Sequence, residues 1–160
     1  WVNSEPGRGT AFKVYLPRHL GSPEDQEETR KPEIQTGRGE TILLVEDEES
    51  ILELGDRMLR SLGYEVFPFG APREALEFAR NRTGPIHLLI TDVVMPEMNG
   101  RDLAEHLRAA HPEIKTLFMS GYTADVIVHR GVLEEGVRFI QKPFSVQALA
   151  STVRESLESD

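Results

Sequence analysis

The chain lacks cysteine altogether, and it lacks any long apolar run. The absence of cysteine excludes disulfide bonds and thiolate metal sites, and it is compatible with a reducing cytoplasm. A membrane-spanning helix needs roughly eighteen or more consecutive apolar residues, and no segment approaches that length. No signal peptide is visible either. We therefore expect a cytoplasmic location without membrane contact by this chain, and any anchor of a longer parent protein would lie upstream.

Positive charge is outnumbered by negative charge. The 160 residues include 18 Lys and Arg against 27 Asp and Glu, which gives a net charge of -9. Nonspecific binding to nucleic acid depends on clustered Lys and Arg that contact phosphates. The composition therefore disfavours a nucleic-acid partner. The length fits one ordinary domain with a modest appendage.

Three regions follow one another along the chain. Residues 18–39 are polar, charged and punctuated by Pro and Gly, which is typical of a linker. Upstream, residues 11–16 alternate apolar and polar side chains, and the Pro-Gly turn at residues 5–9 would bring the chain back toward residues 1–4, so this region predicts a β-hairpin. A lone hairpin is marginal in water, and Trp1 is not an initiator Met, so we expect residues 1–17 to be the remnant of a further domain. Residues 40–160 form the main domain.

The main domain switches between strand and helix patterns five times. Apolar runs predict strands at 41–45, 64–69, 86–91, 115–119 and 137–141, and helical spacing predicts helices at 48–62, 72–82, 100–110, 124–134 and 145–157. In the first helix, Ile51, Leu54, Met58 and Leu62 are spaced as one buried face, which Gly63 ends. Strands separated by helices of this length need crossover connections. The pattern therefore predicts a parallel sheet with helices on both faces.

Polar side chains stand where the predicted strands end. Glu46 and Asp47 follow the first strand, Asp92 the third, Ser120 the fourth and Lys142 the fifth. In open α/β sheets, ligands bind outside the carboxyl ends of the strands, so these five residues should share one edge. Three carboxylates, a hydroxyl and an ammonium group would suit one divalent cation and one phosphoryl group.

Four short motifs resemble those of response-regulator receiver domains, and they lie in that family's order and spacing. They are Glu46-Asp47, the segment from Thr91-Asp92 to Asn99-Gly100, Met119-Ser120-Gly121-Tyr122, and Gln141-Lys142-Pro143-Phe144. The resemblance runs from Glu40 to the end of the chain. It implies a flavodoxin-like, doubly wound α/β fold of five parallel strands in the order 2-1-3-4-5, with five helices.

The resemblance also implies roles for the site residues. Asp92 would be the phosphoacceptor, Asp47 and Asp92 direct ligands of Mg²⁺ or Mn²⁺, Glu46 a ligand through water, and Val94 a ligand through its backbone carbonyl. A carboxylate that attacks an anionic phosphoryl group beside two more carboxylates needs a hard cation to offset the repulsion. Lys142 would pair with Asp92 and then with a phosphoryl oxygen, and the Ser120 hydroxyl would donate to another oxygen.

Three further positions carry expectations about conformation. Ser120 and Phe139 match the family's switch residues, although the residues alone fit an ordinary core role for Phe139 equally well, and Lys142-Pro143 matches a position where the family's peptide bond is cis. Gly100 ends the loop after Asp92, where we expect it to supply an unusual backbone dihedral.

Two side chains beside the predicted site bear on how long a phosphoryl group would last. Val94 and Tyr122 lie two residues beyond Asp92 and Ser120, at positions that flank the path of hydrolytic water in the family. Neither carries an acid or an amide that could orient water. The resemblance therefore predicts a longer phosphoryl lifetime than in receivers with polar groups at these positions.

Residues 1–17 resemble the closing hairpin of the ATP-binding domain of histidine kinases. The boxes that grip ATP in that family are absent from this chain, so we expect it neither to bind ATP nor to phosphorylate itself. The order of these regions indicates a hybrid histidine kinase, because the end of a kinase ATP-binding domain is followed by a charged linker and then by a receiver domain. The implied partners are the kinase's own dimerisation and phosphodonor domain and a histidine-phosphotransfer protein.

Other functions stay open at this point. The chain could be a protein-binding module that keeps the receiver fold without being phosphorylated, although it retains every acidic, hydroxyl and lysine position. A DNA-binding regulator would need an output domain, and residues 40–160 contain none. Val94 stands where haloacid-dehalogenase phosphatases carry the second acid of their Asp-x-Asp motif, which argues against that class of enzyme.

Overall fold

The computed structural model describes residues 2–15, 35–121 and 137–158. The chain divides into two compact units, Trp1–Pro32 and Glu33–Asp160. Among the helices of these described ranges, none is long and apolar enough to cross a membrane. The helix predicted at 124–134 and most of the predicted linker lie outside the described residues.

The first unit contains the predicted hairpin. Strands β1 (Val2–Glu5) and β2 (Gly9–Phe12) pair antiparallel, with Val2 opposite Phe12. Gly7 and Gly9 adopt positive φ angles of 77° and 91°, which glycine tolerates and which the turn requires. Phe12 is 71% exposed. The hairpin thus presents apolar side chains that the described part of its own unit does not cover.

The second unit is a five-stranded sheet flanked by helices. Its strands are β3 (Thr41–Val45), β4 (Glu65–Phe69), β5 (Leu88–Asp92), β6 (Lys115–Ser120) and β7 (Phe139–Gln141), and its described helices are α1 (Glu49–Ser61), α2 (Pro72–Asn81), α3 (Gly100–Ala110) and α4 (Val146–Glu158). All neighbouring strands pair parallel, in the order β4-β3-β5-β6-β7. This order is the predicted 2-1-3-4-5, so the predicted fold class is confirmed.

Alternate residues of each central strand enter two separate cores. One core contains Leu43, Val45 and Leu89 with buried residues of α2 and α3. The other contains Ile42, Leu44, Leu88 and Ile90 with buried residues of α1 and α4. Burial of both faces explains why these strands read as continuous apolar runs rather than as alternating ones.

Three helix ends lie where the sequence predicts them, and a local interaction explains each one. After α1, the Gly63 N–H donates to the Arg60 carbonyl at 3.0 Å and the Tyr64 N–H donates to the Leu59 carbonyl at 3.2 Å, while Gly63 has φ 89°. These bonds form a Schellman motif. Pro72 is the first residue of α2, where its missing N–H costs nothing. The Ser145 hydroxyl accepts from the Ala148 N–H at 3.1 Å and so caps α4.

The predicted buried face of α1 is wrong in part. Leu54 is 46% exposed, whereas Gly55 and Leu59 are buried. Gly55 explains the difference, because a Cβ at this position would already lie 3.2 Å from the Leu44 side chain. Without a side chain there, the helix approaches the sheet through Gly55 and turns Leu54 outwards.

Candidate functional site

The carboxyl edge of the sheet brings the predicted polar residues to one place. Val45 is in register with Thr91 on the adjacent strand. Glu46, the residue after β3, and Asp92, the last residue of β5, therefore lie next to each other at the carboxyl edge. On the next strand Met119 is opposite Asp92, and Ser120 follows it. The Lys142 N–H donates to the Ser120 carbonyl at 2.7 Å, which holds the loop after β7 against β6.

Three of these residues form an acidic cluster. One carboxylate oxygen from each of Glu46, Asp47 and Asp92 lies within 4.8 Å of the others. Glu46 is buried, Asp92 is half-buried and Asp47 is exposed. Hard divalent cations prefer oxygen ligands, and Mg²⁺ in particular uses few carboxylates and keeps several waters. A cluster that is buried on one side and open on the other fits such a cation.

Lys142 provides the positive charge of the site. Its Nζ donates to Glu46 Oε2 at 2.6 Å and to Asp92 Oδ2 at 2.9 Å. The pairing with Asp92 agrees with the sequence expectation, but the shorter bond to Glu46 was not anticipated. Only 13% of the Lys142 side chain and 1% of the Glu46 side chain are exposed. This ion pair therefore lies at the protected bottom of the site.

Burial and pairing act in opposite directions on these two groups. Burial raises the pKa of the Glu46 carboxyl above its usual value, although hydrogen bonding to Lys142 works against the rise. For Lys142, burial alone would lower the pKa, but the hydrogen bonds to Glu46 and Asp92 outweigh it and raise the pKa. The ammonium is therefore charged at neutral pH and can serve as a counter-charge.

The loop between Asp92 and α3 is shaped by a close approach of two backbone segments. The Val93 N–H donates to Asp92 Oδ1 at 2.6 Å, and the Gly100 N–H donates to the Val93 carbonyl at 3.1 Å. A Cβ on Gly100 would collide with the Asp92 carbonyl oxygen and approach the Thr91 side chain to 3.0 Å. Gly100 is therefore required because the backbone of Asp92 lies directly against it.

The expected reason for Gly100 is wrong. Its φ is not in the left-handed region, and it is the first residue of α3. The positive φ of the loop, 66°, belongs to Glu97, whose carboxylate lies 3.0 Å from Arg73 at the start of α2. The sequence motif located the turn, but it could not distinguish a dihedral requirement from a steric one.

The other predicted residues surround this centre. Ser120 is buried at the end of β6, and Phe139 is half-buried against the core beside α2 and α3. Val94 is 63% exposed, and its N–H lies 3.5 Å from Asp92 Oδ1. The Lys142-Pro143 peptide bond is cis. Tyr122 lies outside the described residues.

Comparison with known proteins gives a consistent result. Residues 42–154 match the family described as the response regulator receiver domain. Sensor kinase CckA of Brucella abortus is 39% identical over 165 residues, which cover 99% of this chain but only 18% of that kinase. Response regulator receiver protein CpdR of the same organism is 31% identical over 72% of this chain and 95% of its own length.

Solved structures agree with the sequence matches. The receiver domain of the hybrid histidine kinase CckA has a TM-score of 0.62 and 36% identity, and it covers 74% of this chain and 99% of its own. Chemotaxis protein CheY4 of Vibrio cholerae has a TM-score of 0.65 and 26% identity over 74% of this chain and 99% of its own. In both comparisons the structural likeness extends over about three-quarters of this chain.

Proposed function

Because the chain belongs to the response-regulator receiver family of two-component phosphorelays, we propose that Asp92 accepts a phosphoryl group from a phosphohistidine. One observation carries this assignment. Two members of the acidic cluster contact Lys142, namely Glu46 at 2.6 Å and Asp92 at 2.9 Å, and of these two only Asp92 keeps part of its carboxylate open to solvent. A carboxylate that is open to solvent can reach phosphorus, and a cation beside it can neutralise charge on the product.

The transfer balances as a direct displacement. A carboxylate oxygen of Asp92 forms a bond to phosphorus while the bond between phosphorus and the histidine nitrogen breaks. The departing imidazole keeps the electron pair and takes up a proton. Lys142 then moves its hydrogen bond from the Asp92 carboxylate to a phosphoryl oxygen, and the Ser120 hydroxyl donates to another.

The acidic cluster needs a cation for this reaction. Receiver domains in general bind Mg²⁺, and we propose that Asp47 and Asp92 hold Mg²⁺ or Mn²⁺ here, with Glu46 acting through water and Val94 through its carbonyl. The cation would neutralise charge on the phosphoryl oxygens. Glu46 is bonded to Lys142 at 2.6 Å, so an indirect role for it fits better than direct ligation.

We further propose that the parent protein is a hybrid histidine kinase. The match to a sensor kinase covers 99% of this chain and therefore includes the hairpin as well as the receiver. Residues 1–17 would complete the kinase's ATP-binding domain, residues 18–39 would be the linker, and residues 40–160 the receiver. The exposed apolar side chains of the hairpin support this, since a larger domain would cover them. The phosphodonor domain of the same protein and a histidine-phosphotransfer protein would be the partners.

The proposed function is tested with a small acyl phosphate and Mg²⁺. We expect intact mass spectrometry to show the addition of one phosphoryl group to the wild type and none to Asp92→Asn, which keeps the side-chain shape. Chelation of the cation should prevent the addition. A wild type that takes up no phosphate would instead support the protein-binding module, and undiminished uptake by Asp92→Asn would move the acceptor elsewhere.

A polar side chain at residue 94 should shorten the life of the phosphoryl group. Val94 is exposed beside Asp92 and offers no group that can orient water. We expect Val94→Asn to lose phosphate about threefold faster or more, because a positioned amide favours attack by water. Decay of the phosphorylated mass after removal of the donor measures this. Val2→Asn, the same change at an exposed hairpin position, is the matched control; a Val94→Asn decay equal to that of the control contradicts the prediction.

A further inference from the structure

The chain is held against the receiver before the first strand of the sheet begins. We call residues 35–40 the entering segment. The Gly37 N–H donates to the Leu62 carbonyl at 2.6 Å, and a Cβ on Gly37 would lie 2.6 Å from the Tyr64 ring. The Arg38 N–H donates to the Glu40 carboxylate at 2.5 Å. Part of what the sequence predicts as linker is therefore fastened at the edge opposite the acidic cluster.

An ion pair between the half-buried Glu40 and the buried Arg154 joins this segment to α4. Glu40 Oε1 lies 2.8 Å from Arg154 Nη2, and the two side chains are 15% and 10% exposed. Burial by itself would raise the pKa of the Glu40 carboxyl, but the Arg38 N–H and the Arg154 guanidinium outweigh it and hold the pKa below its usual value. Both groups are thus charged at neutral pH. A pair that is mostly shielded from solvent depends more strongly on its geometry than an exposed one.

The other end of α4 begins beside the acidic cluster. Lys142 bonds Glu46 and Asp92 through its side chain, and α4 starts four residues later at Val146. Between its ends the helix buries Leu149 and Val153 in the second core. A packed helix of 13 residues is about 20 Å long and moves as one piece.

We propose that α4 is a lever that couples the state of Asp92 to the entering segment through the ion pair between Glu40 and Arg154. The proposal rests on the proposed function. A phosphoryl group on Asp92 draws the Lys142 ammonium from the Asp92 carboxylate to a phosphoryl oxygen, which also lengthens its bond to Glu46, and the start of α4 follows. The shift lengthens the Glu40 to Arg154 contact and loosens the entering segment.

Unused hydrogen-bonding groups beside the ion pair permit a second arrangement. Tyr64 Oη and Arg154 Nη1 are buried and have no hydrogen-bond partner within the described ranges. Arg154 Nε also lacks a hydrogen-bond partner within these ranges, although the Glu158 carboxylate already lies 3.2 Å from it, so a second acid remains beside the guanidinium when Glu40 withdraws. Packed interfaces tend to switch between two such arrangements rather than deform continuously. Since coupling is reciprocal, a pull on the linker would also act on the phosphoacceptor site.

Amide hydrogen exchange of the entering segment, read by mass spectrometry, tests the lever. We expect phosphorylation of the wild type to speed exchange in residues 35–40 about threefold or more, because the Gly37 amide is released more often. Arg154→Met should exchange fast in both states and, because the coupling is reciprocal, take up phosphate at least as readily as the wild type, and Arg154→Lys should restore part of the response. Arg57→Gln removes an exposed ion pair with Glu53 on α1 and serves as the control that should behave as wild type.

Each outcome has a separate meaning. If Asp92 is phosphorylated and exchange in residues 35–40 does not change, the lever is overturned and the proposed function stands. If no phosphate is taken up, the proposed function fails. Lys142→Met then tests separately whether α4 couples the site to residues 35–40. That variant frees the start of α4 without phosphate and should speed exchange in residues 35–40 while the amides of β3 stay protected. Unchanged exchange in residues 35–40 of Lys142→Met would overturn the proposal that α4 is a lever.

Discussion

Gly100→Ala should unfold more easily than the wild type by about 3 kcal/mol and should take up little phosphate. The added methyl group would collide with the Asp92 carbonyl oxygen, which is backbone and cannot rotate away as a side chain could. Relief requires movement of either α3 or the end of β5, and movement of β5 displaces the Asp92 carboxylate. Urea unfolding and intact mass after incubation with an acyl phosphate measure the two effects.

Gly70→Ala is the matched control for this prediction. Gly70 follows β4 and has no positive φ, and a Cβ at this position would meet no atom within 4 Å. Alanine there should leave stability within about 1 kcal/mol of the wild type and leave phosphate uptake unchanged. A Gly100→Ala protein with the same unfolding midpoint as Gly70→Ala would show that the backbone of Asp92 does not depend on Gly100.

Lys142→Met should lower stability by about 2 kcal/mol at neutral pH and slow phosphate uptake about tenfold or more. Methionine keeps the length of the side chain but leaves Glu46 buried without its cation, beside Asp92 and Asp47. Addition of Mg²⁺ should recover part of the stability, since the cation binds only the folded cluster. Lys115→Met, at the opposite edge of the sheet, is the control lysine and should take up phosphate normally.

The pH dependence of Lys142→Met gives a second readout. Burial holds the pKa of Glu46 above its usual 4.5 even in the wild type, and loss of Lys142 removes an interaction that lowers it. A carboxyl with a raised pKa binds a proton more readily in the folded state, so the variant should gain stability as the pH falls from neutrality toward 4.5. The wild type should lose stability when the pH rises through the raised pKa of Lys142, above 10.5. A variant whose stability deficit is the same at pH 7 and pH 5 would contradict this account.

The fold could be predicted from the sequence because each element carries its own local signal. Pro72, Gly63 and Ser145 set helix ends through interactions with residues close to them in the chain, and the apolar runs of β3 and β5 indicate strands buried on both faces. The buried face of α1 could not be predicted, because its apolar residues form two overlapping stripes. The close approach of Gly55 to Leu44 decides which stripe is buried. These two residues are distant in the chain, so the spacing of apolar residues within α1 does not reveal their contact.

The candidate site, like the fold, could be predicted from the sequence only in part. Placement of Glu46, Asp92 and Lys142 at strand ends sufficed to bring them to one edge, since parallel strands share a carboxyl edge. The 2.6 Å bond between Lys142 and Glu46 could not be foreseen, because spacing along the chain does not say which of two neighbouring acids a flexible lysine prefers. The role of Gly100 was missed for a related reason. Its neighbour is a carbonyl oxygen of Asp92, and backbone atoms are invisible in a pattern of side chains.

Transfer from a labelled phosphohistidine tests the central claim most directly. A histidine-kinase dimerisation domain carrying a radiolabelled phosphohistidine would be mixed with this chain in Mg²⁺, and the label would be followed on each protein over time. The account predicts that the label leaves the histidine and appears on the wild-type chain, and that it does not appear on Asp92→Asn or in the presence of a chelator. Label that stays on the histidine domain with the wild type, or that moves equally to Asp92→Asn, would contradict it.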